Sequence, residues 1–469
     1  MKHLSVLLLL LILLPAVRAE RGDPVIQNEG ASIDQMVAEF MREHEVSGMS
    51  VAIVQAPYIT RVTGHGLSDK ERHLLASSNT LFNLGQMSRA YTAVAVMQLV
   101  ESGKIALDDP LGRHLPSVSA PWKSITIRQA LQHQSGQEAV SDEAHLRELI
   151  AAASGKSYRE FVRAGQFEPL GLKHTFFAAD LGRAPQEDIK PGARHGKFLH
   201  DAPMINPSEA AIAYEKGAPA KPSDDAIYAS AEDVSIWDIG LAGDILIKDA
   251  SLRKILYQPL VLKEGKTVPS SGPWFFPGRP GLMVVTGSEQ GFSSLLSRFT
   301  DPKDLLCVTL LANKEGLDLT QLARRIAGAY DARIGPPPGT STMRIQQSPY
   351  SVTETLARLE KALKAGGAGI IARVDHAKAA GTVSLDLPPT EEIIFGSPAK
   401  GTLLMQSNRA VALDLPLRAV AWEDKGAVWV AAIDPVEIAH RHGITDREEV
   451  VEQMRQGIDA ALLQAVSGS

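Results

Sequence analysis

Apolar residues at Ile33, Met36, Val37, Phe40 and Met41 fall on one face of a helix, and Ser32 with Gln35 forms a capping box ahead of them. An amphipathic helix is therefore predicted there, followed by a strand over the mainly apolar run Met49 to Val54. Ala93, Val96, Met97 and Val100 share one side of a predicted helix from about Met87 to Glu101, which Gly103 ends. The apolar run Leu305 to Leu311 reads as a buried strand carrying Cys307, and a helix is predicted from Leu319 to Tyr330.

The pattern then breaks at Gly335-Pro336-Pro337-Pro338-Gly339, where residues without amide donors or side chains cannot continue a packed element. A second capping box, Ser351 with Glu354, starts a new amphipathic helix with Val352, Leu356, Leu359 and Leu363 on one face. Strand-like segments follow at Ile370 to Val374, Glu392 to Phe395, Arg418 to Trp422 and Val428 to Ile433, then a closing helix from about Asp446 to Val466. The predicted organisation is a first domain over 20–334, a Pro/Gly-rich linker over 335–348 and a small α+β domain over 349–469.

A length of 469 residues asks for more than one core, and 44% hydrophobic with 22% charged residues is a globular balance. The net charge of -6 and the lack of a basic stripe exclude an electrostatic footprint for nucleic acid. Met1 to Ala19 has the form of a secretory signal: Lys2 and His3, the apolar Leu4 to Leu14, then Val17-Arg18-Ala19 as a cleavage site. The expectation is a periplasmic or secreted protein with no transmembrane segment after cleavage. A single cysteine leaves no internal disulfide.

Several stretches of the first domain have a family look. They are Val46 to Ile53, Thr92-Ala93 through Leu99 to Pro110, Ile127 to Gly136, Ser154 to Tyr158, Glu168 to Leu172 and Gly291 to Ser294. In this order, over residues 30–330, they resemble the serine β-lactamase/penicillin-binding-protein family, particularly its class C type. The resemblance implies an α/β fold: a β-lactamase/transpeptidase-like antiparallel sheet flanked by helices, with a helical subdomain.

That family's chemistry needs a serine with a lysine three residues on, so that both share one helix face and the amine takes the hydroxyl proton. Matching Phe82 and Thr92 to the family pattern puts Gln86 at the serine position and Arg89 at the lysine position. A glutamine amide cannot attack a carbonyl, and arginine stays protonated. The family's Tyr-x-Asn element has no match between Gly136 and Ser154, and its Lys/His-Thr-Gly element aligns with Val285-Thr286-Gly287, a valine replacing the cation.

Two readings follow. In the first, this is a pseudoenzyme whose cleft persists as a binding site built on Gln86, Arg89, Thr286 and Gly287. Its ligand would be a small carboxylate or a peptide- or peptidoglycan-like molecule, since the arginine fork suits a carboxylate. Arg89 pairing with Glu138 or Asp142 is the blander alternative. In the second, a serine hydrolase survives through a relocated nucleophile, either Ser88 or Ser135 beside His133.

The second domain carries Thr353 to Leu356, Val374 to Gly381, Glu391 to Pro398 and Asp414 to Arg418, and resembles the small bacterial family called domain of unknown function 302. That resemblance implies a fold without a reaction. Asp375 and His376 are its candidate rim residues, with Gly396-Ser397-Pro398. His440 and His442 are expected on a solvated helix end, and neither a metal site nor a cofactor is expected.

Overall fold

Strict alternation in the central strands decides the architecture of the first domain, because each strand sends odd and even positions to two different cores. The computed structural model describes residues 26–466 apart from 29, 57, 71–72, 137–138, 184–222, 262–266, 269, 277–280, 301–304, 332, 337–342 and 425. The predicted signal segment lies outside the described residues.

The elements used below are α1 (Ile33–Glu43), β1 (Gly48–Gln55), β2 (Tyr58–Asp69), β3 (Leu74–Leu75), α2 (Arg89–Glu101), α3 (Ala139–Ser154), α4 (Ala231–Ala242), β4 (Ser270–Ser271), β5 (Trp274–Phe275), β6 (Leu282–Glu289), β7 (Phe292–Phe299), β8 (Leu306–Ala312) and α5 (Thr320–Tyr330). The eight strands form one antiparallel sheet in the order β4-β5-β6-β7-β8-β1-β2-β3. On one face Val51, Ile53, Val284, Leu295, Val308 and Leu310 meet Met36, Val37 of α1 and Leu322, Ile326 of α5. Burying each such side chain contributes about 1.5–3 kcal/mol. On the other face Ala52, Val54, Met283, Val285, Leu296 and Cys307 join a larger core that contains α2, α3 and α4.

Short helices at Leu111–His114, Ala120–Lys123, Ile127–Leu131 and Tyr158–Val162 gather around α2 and α3 as a helical layer. The predicted helix from Met87 begins instead as a 3-10 turn, Gly85–Ser88, that passes into α2 at Arg89. Nearly every residue of α2 from Ala90 to Leu99 is buried, so it is a central helix with no solvent stripe.

The C-terminal unit contains β9 (Met343–Ser348), α6 (Val352–Ala365), β10 (Gly369–Asp375), α7 (His376–Thr382), β11 (Thr390–Gly396), α8 (Pro398–Ser407), β12 (Leu417–Asp424), β13 (Ala427–Ile433), α9 (Pro435–Arg441) and α10 (Glu448–Val466). Its antiparallel sheet runs β9-β13-β12-β11-β10, with α6 and α10 packed on one face. Strand β9 lies inside the segment predicted as linker. Met343 and Ile345 alternate onto the opposite face with Trp429 and Ala431, and that pairing overrides the local polarity of Arg344, Gln346 and Gln347.

That second face packs against the first domain. The Arg324 guanidinium of α5 sits 5.7 Å from the Trp429 ring centre, and Gln321 Nε2 donates to the Ile345 carbonyl at 2.8 Å. Beside them Arg344 is a buried hub. Its Nε donates to Asp459 at 2.7 Å, one Nη to Asp318 at 2.8 Å, and Asp434 lies 3.7 Å from the other. Those carboxylates hold the guanidinium charged against the cost of burial.

Candidate functional site

Strand β6 meets the turn before α2 because Gly287 has no side chain. A Cβ there would lie 2.1 Å from the Leu84 carbonyl oxygen, 2.7 Å from Ser294 Oγ and 2.8 Å from the Met87 nitrogen. Ser294 Oγ donates to the same Leu84 carbonyl at 2.8 Å, fixing the contact from the neighbouring strand. Gly85, with φ of +53°, turns the chain so that α2 starts beside the end of β6.

Among the described residues β5 pairs with β6 at Phe275 and Val284 alone, so beyond that point this edge of β6 has other partners for its backbone groups. Gln86 provides one. Its side-chain Oε1 accepts the Ser288 N–H at 2.6 Å. Gln86, Thr286, Gly287 and Ser288 border a hollow of about 450 Å³, closed on the far side by the Leu317–Thr320 turn. Thr286 is exposed and Gly287 buried.

Val285 and Arg89 do not line that hollow. Val285 is 1% exposed and packs into the core under α2, as alternation along β6 requires of a residue next to Thr286. Arg89 is half-buried at the first position of α2. Burial holds the His133 imidazole below its ordinary range, and the charge of Arg89 adds to this.

The acids near Arg89 are engaged elsewhere. Glu143 accepts from Thr92 Oγ1 at 2.5 Å and from Arg147 Nε at 2.9 Å. Asp142 is fully buried, 3.4 Å from His133 Nδ1. Burial pushes its carboxyl up, opposed by a hydrogen bond from Ser135 and by His133. Among the described residues Arg89 makes no ion pair within 4 Å, and Glu138 lies outside them.

The proposed replacement nucleophiles are also accounted for. Ser88 is buried and donates to the Gly85 carbonyl at 2.7 Å. Ser135 and His133 both favour the charged form of the Asp142 carboxylate, with His133 Nδ1 3.4 Å from it, so serine and histidine both bear on the acid. A nucleophile–base relay needs the histidine between them. Sequence reasoning missed Ser288, whose contribution is a backbone N–H and leaves no signal in residue type. It named Asp142 only as a partner for Arg89.

In the C-terminal unit Asp375 caps α7, its Oδ1 accepting the Lys378 N–H at 2.8 Å. His376 Nε2 lies 3.6 Å from Glu392. His440 is exposed, as expected, but His442 is not solvated: its side chain is 10% exposed and Nε2 meets Asp414 at 2.7 Å, because α9 packs its end against the loop before β12. The bond from His442 holds the Asp414 carboxyl below its usual range. Among the described residues no cluster of His, Cys, Asp and Glu could hold a metal ion, and no helix is long and apolar enough to cross a membrane.

Comparison with known proteins follows this division. The family model described as Beta-lactamase matches residues 33–331, and the one described as Domain of unknown function DUF302 matches 345–461. A stretch of 99 residues, 21% of the chain, is 48% identical to the fluoride-specific ion channel FluC 1 of Brucella suis biovar 1 (strain 1330), covering 39% of that protein. The chain is 22% identical over 325 residues to protein flp of Staphylococcus aureus (strain MW2), covering 60% of this chain and 62% of flp. It thus spans less than two thirds of the length of either relative. Among solved structures, the octameric penicillin-binding protein homologue from Pyrococcus abyssi superposes with a TM-score of 0.52 at 16% identity, over 85% of this chain and 89% of that one.

Proposed function

The chain belongs to the Beta-lactamase family over residues 33–331, and from that premise we propose that it works as a non-hydrolytic binding or scaffold protein of the cell envelope. The observation that carries the reading is the hydrogen bond from the Ser288 N–H to Gln86 Oε1. An acyl-transfer site needs a nucleophile with backbone N–H groups free to receive the developing oxyanion. Here the residue aligned with the nucleophile is an amide whose own oxygen fills the Ser288 donor. The residue aligned with the strand's cation is Val285, buried in the core. Neither group supports covalent turnover.

Arg89 lies off that hollow and would add a separate anion contact: a half-buried guanidinium at the start of α2 suits the carboxylate of a small molecule or of a peptide- or peptidoglycan-like ligand. Export through the Met1 to Ala19 segment would bring the protein to such ligands. The test is labelling of the purified full chain with a fluorescent penicillin and a fluorophosphonate. The proposal expects no saturable acylation by either. Saturable labelling that disappears in Ser135→Ala or Ser88→Ala would replace it with a relocated hydrolase. Binding of a peptide with a free C-terminal carboxylate, followed by calorimetry, should be lost in Arg89→Ala.

A further inference from the structure

The C-terminal unit contains a cavity of about 630 Å³ between α6, α8, α10 and the start of β10, at the opposite end of that strand from Asp375 and His376. Leu363, Ile370, Phe395, Met405, Leu417 and Ile458 supply its apolar wall. Lys400 is the one charged residue among those lining it, with Ser397, Gln453 and Gln464 as the other polar side chains. A concave, mainly apolar volume with a few convergent polar groups is the usual form of a small-ligand site.

Two glycines indicate that the space is kept open. Gly457 sits in the middle of the 19-residue helix α10, where glycine is among the poorest helix formers. Close packing does not require it, since a Cβ there would meet nothing within 4 Å. Gly401 sits inside α8, and a Cβ there would meet only Leu415 Cδ1, at an ordinary 3.7 Å. Both line the cavity. Larger side chains at these positions would suit the helices and would fill the volume.

We propose that this cavity binds a single-chain anionic amphiphile, an acyl-chain carboxylate, with the chain between α6, α8 and α10 and the carboxylate at Lys400. Charge complementarity selects the sign. The Lys400 Nζ has only a long contact to the Gln453 carbonyl, 3.5 Å, and among the described residues makes no ion pair. Ser397 Oγ makes no capping hydrogen bond and offers a hydroxyl beside it. An apolar volume of this extent takes an alkyl chain, for which each buried methylene adds to affinity.

The experiment is calorimetric titration of the full chain with laurate below its micelle concentration, beside dodecanol, dodecylammonium and vesicles of neutral phospholipid. Laurate is expected to bind at one site per chain and more tightly than dodecylammonium. Gly457→Leu should weaken it at least 20-fold while circular dichroism shows an unchanged fold, since the new Cβ meets nothing within 4 Å and the side chain points into the open volume. Lys400→Gln should weaken laurate about three- to fivefold and leave dodecanol unchanged, the effect of one partly exposed charge. The proposal is overturned if laurate does not bind, if Gly457→Leu binds it as the parent does, if the ammonium binds as well as the carboxylate, or if only vesicles bind.

Discussion

Replacing Gly287 with alanine tests whether β6 and the start of α2 are held in contact as the structure places them. The new Cβ would sit 2.1 Å from one backbone atom and 2.8 Å from another. Ordinary contact distances near 3.5 Å then require the strand and the turn to separate by roughly 1 Å. Overpacking of this kind costs about 1–3 kcal/mol. The separation also weakens two hydrogen bonds, Ser294 Oγ to Leu84 and Ser288 N–H to Gln86, at about 0.5–1.5 kcal/mol each. The sum is about 2–6 kcal/mol. Hydrogen exchange followed by mass spectrometry reads this locally: amides of α2 should exchange roughly 30- to 25,000-fold faster if the opening energy falls by that amount. Gly457→Ala is the control, because the same added methyl group meets nothing there and should stabilise α10 by about 0.5–1 kcal/mol. Exchange in α2 within threefold of the parent would refute the close approach.

Two further substitutions probe charges. Arg344→Leu should destabilise the folded chain by about 3–5 kcal/mol in urea unfolding, since Asp318, Asp434 and Asp459 are left facing one another without their shared cation. If the pair of domains is unaffected, the hub is not what joins them. Asp142→Asn should make stability less dependent on pH. Burial raises the Asp142 carboxyl, so the folded state binds its proton more tightly than the unfolded chain, and stability falls as pH rises through the folded-state value. The asparagine variant should lose that fall and be the more stable form at neutral pH. A parallel profile for both proteins would show that Asp142 does not titrate across the transition.

Much of the fold was legible because periodicity and burial agree. The apolar run of β8 and the two capping boxes at Ser32 and Ser351 announce elements that the structure contains, and Cys307 is buried in a strand as its apolar run predicts. Strand β9 was not legible. Its apolar positions Met343 and Ile345 are few, follow a proline run, and acquire meaning only through Trp429, more than eighty residues on. The first site divides in the same way. Gln86, Thr286 and Gly287 meet at one hollow, whereas Arg89 and Val285 lie away from it: motif spacing fixes position along an element, and the strand's alternation then turns Val285 inward. The C-terminal cavity was invisible in one dimension because its walls come from three helices and a strand end. Its clearest trace in the sequence is a pair of helix-interior glycines with no turn to explain them.

The sheet of the first domain also sets the order in which it can assemble. β1 is flanked by β2, its immediate neighbour in sequence, and by β8, whose Ala312 pairs with Met49. The opening hairpin must therefore wait, one edge unfilled, until some 260 further residues have been made or delivered. Closing so long a loop is slow compared with local pairing. Through that interval an apolar strand stands as a template for any other extended chain. A chain built this way gains from a holding partner, or from vectorial release, until β8 arrives.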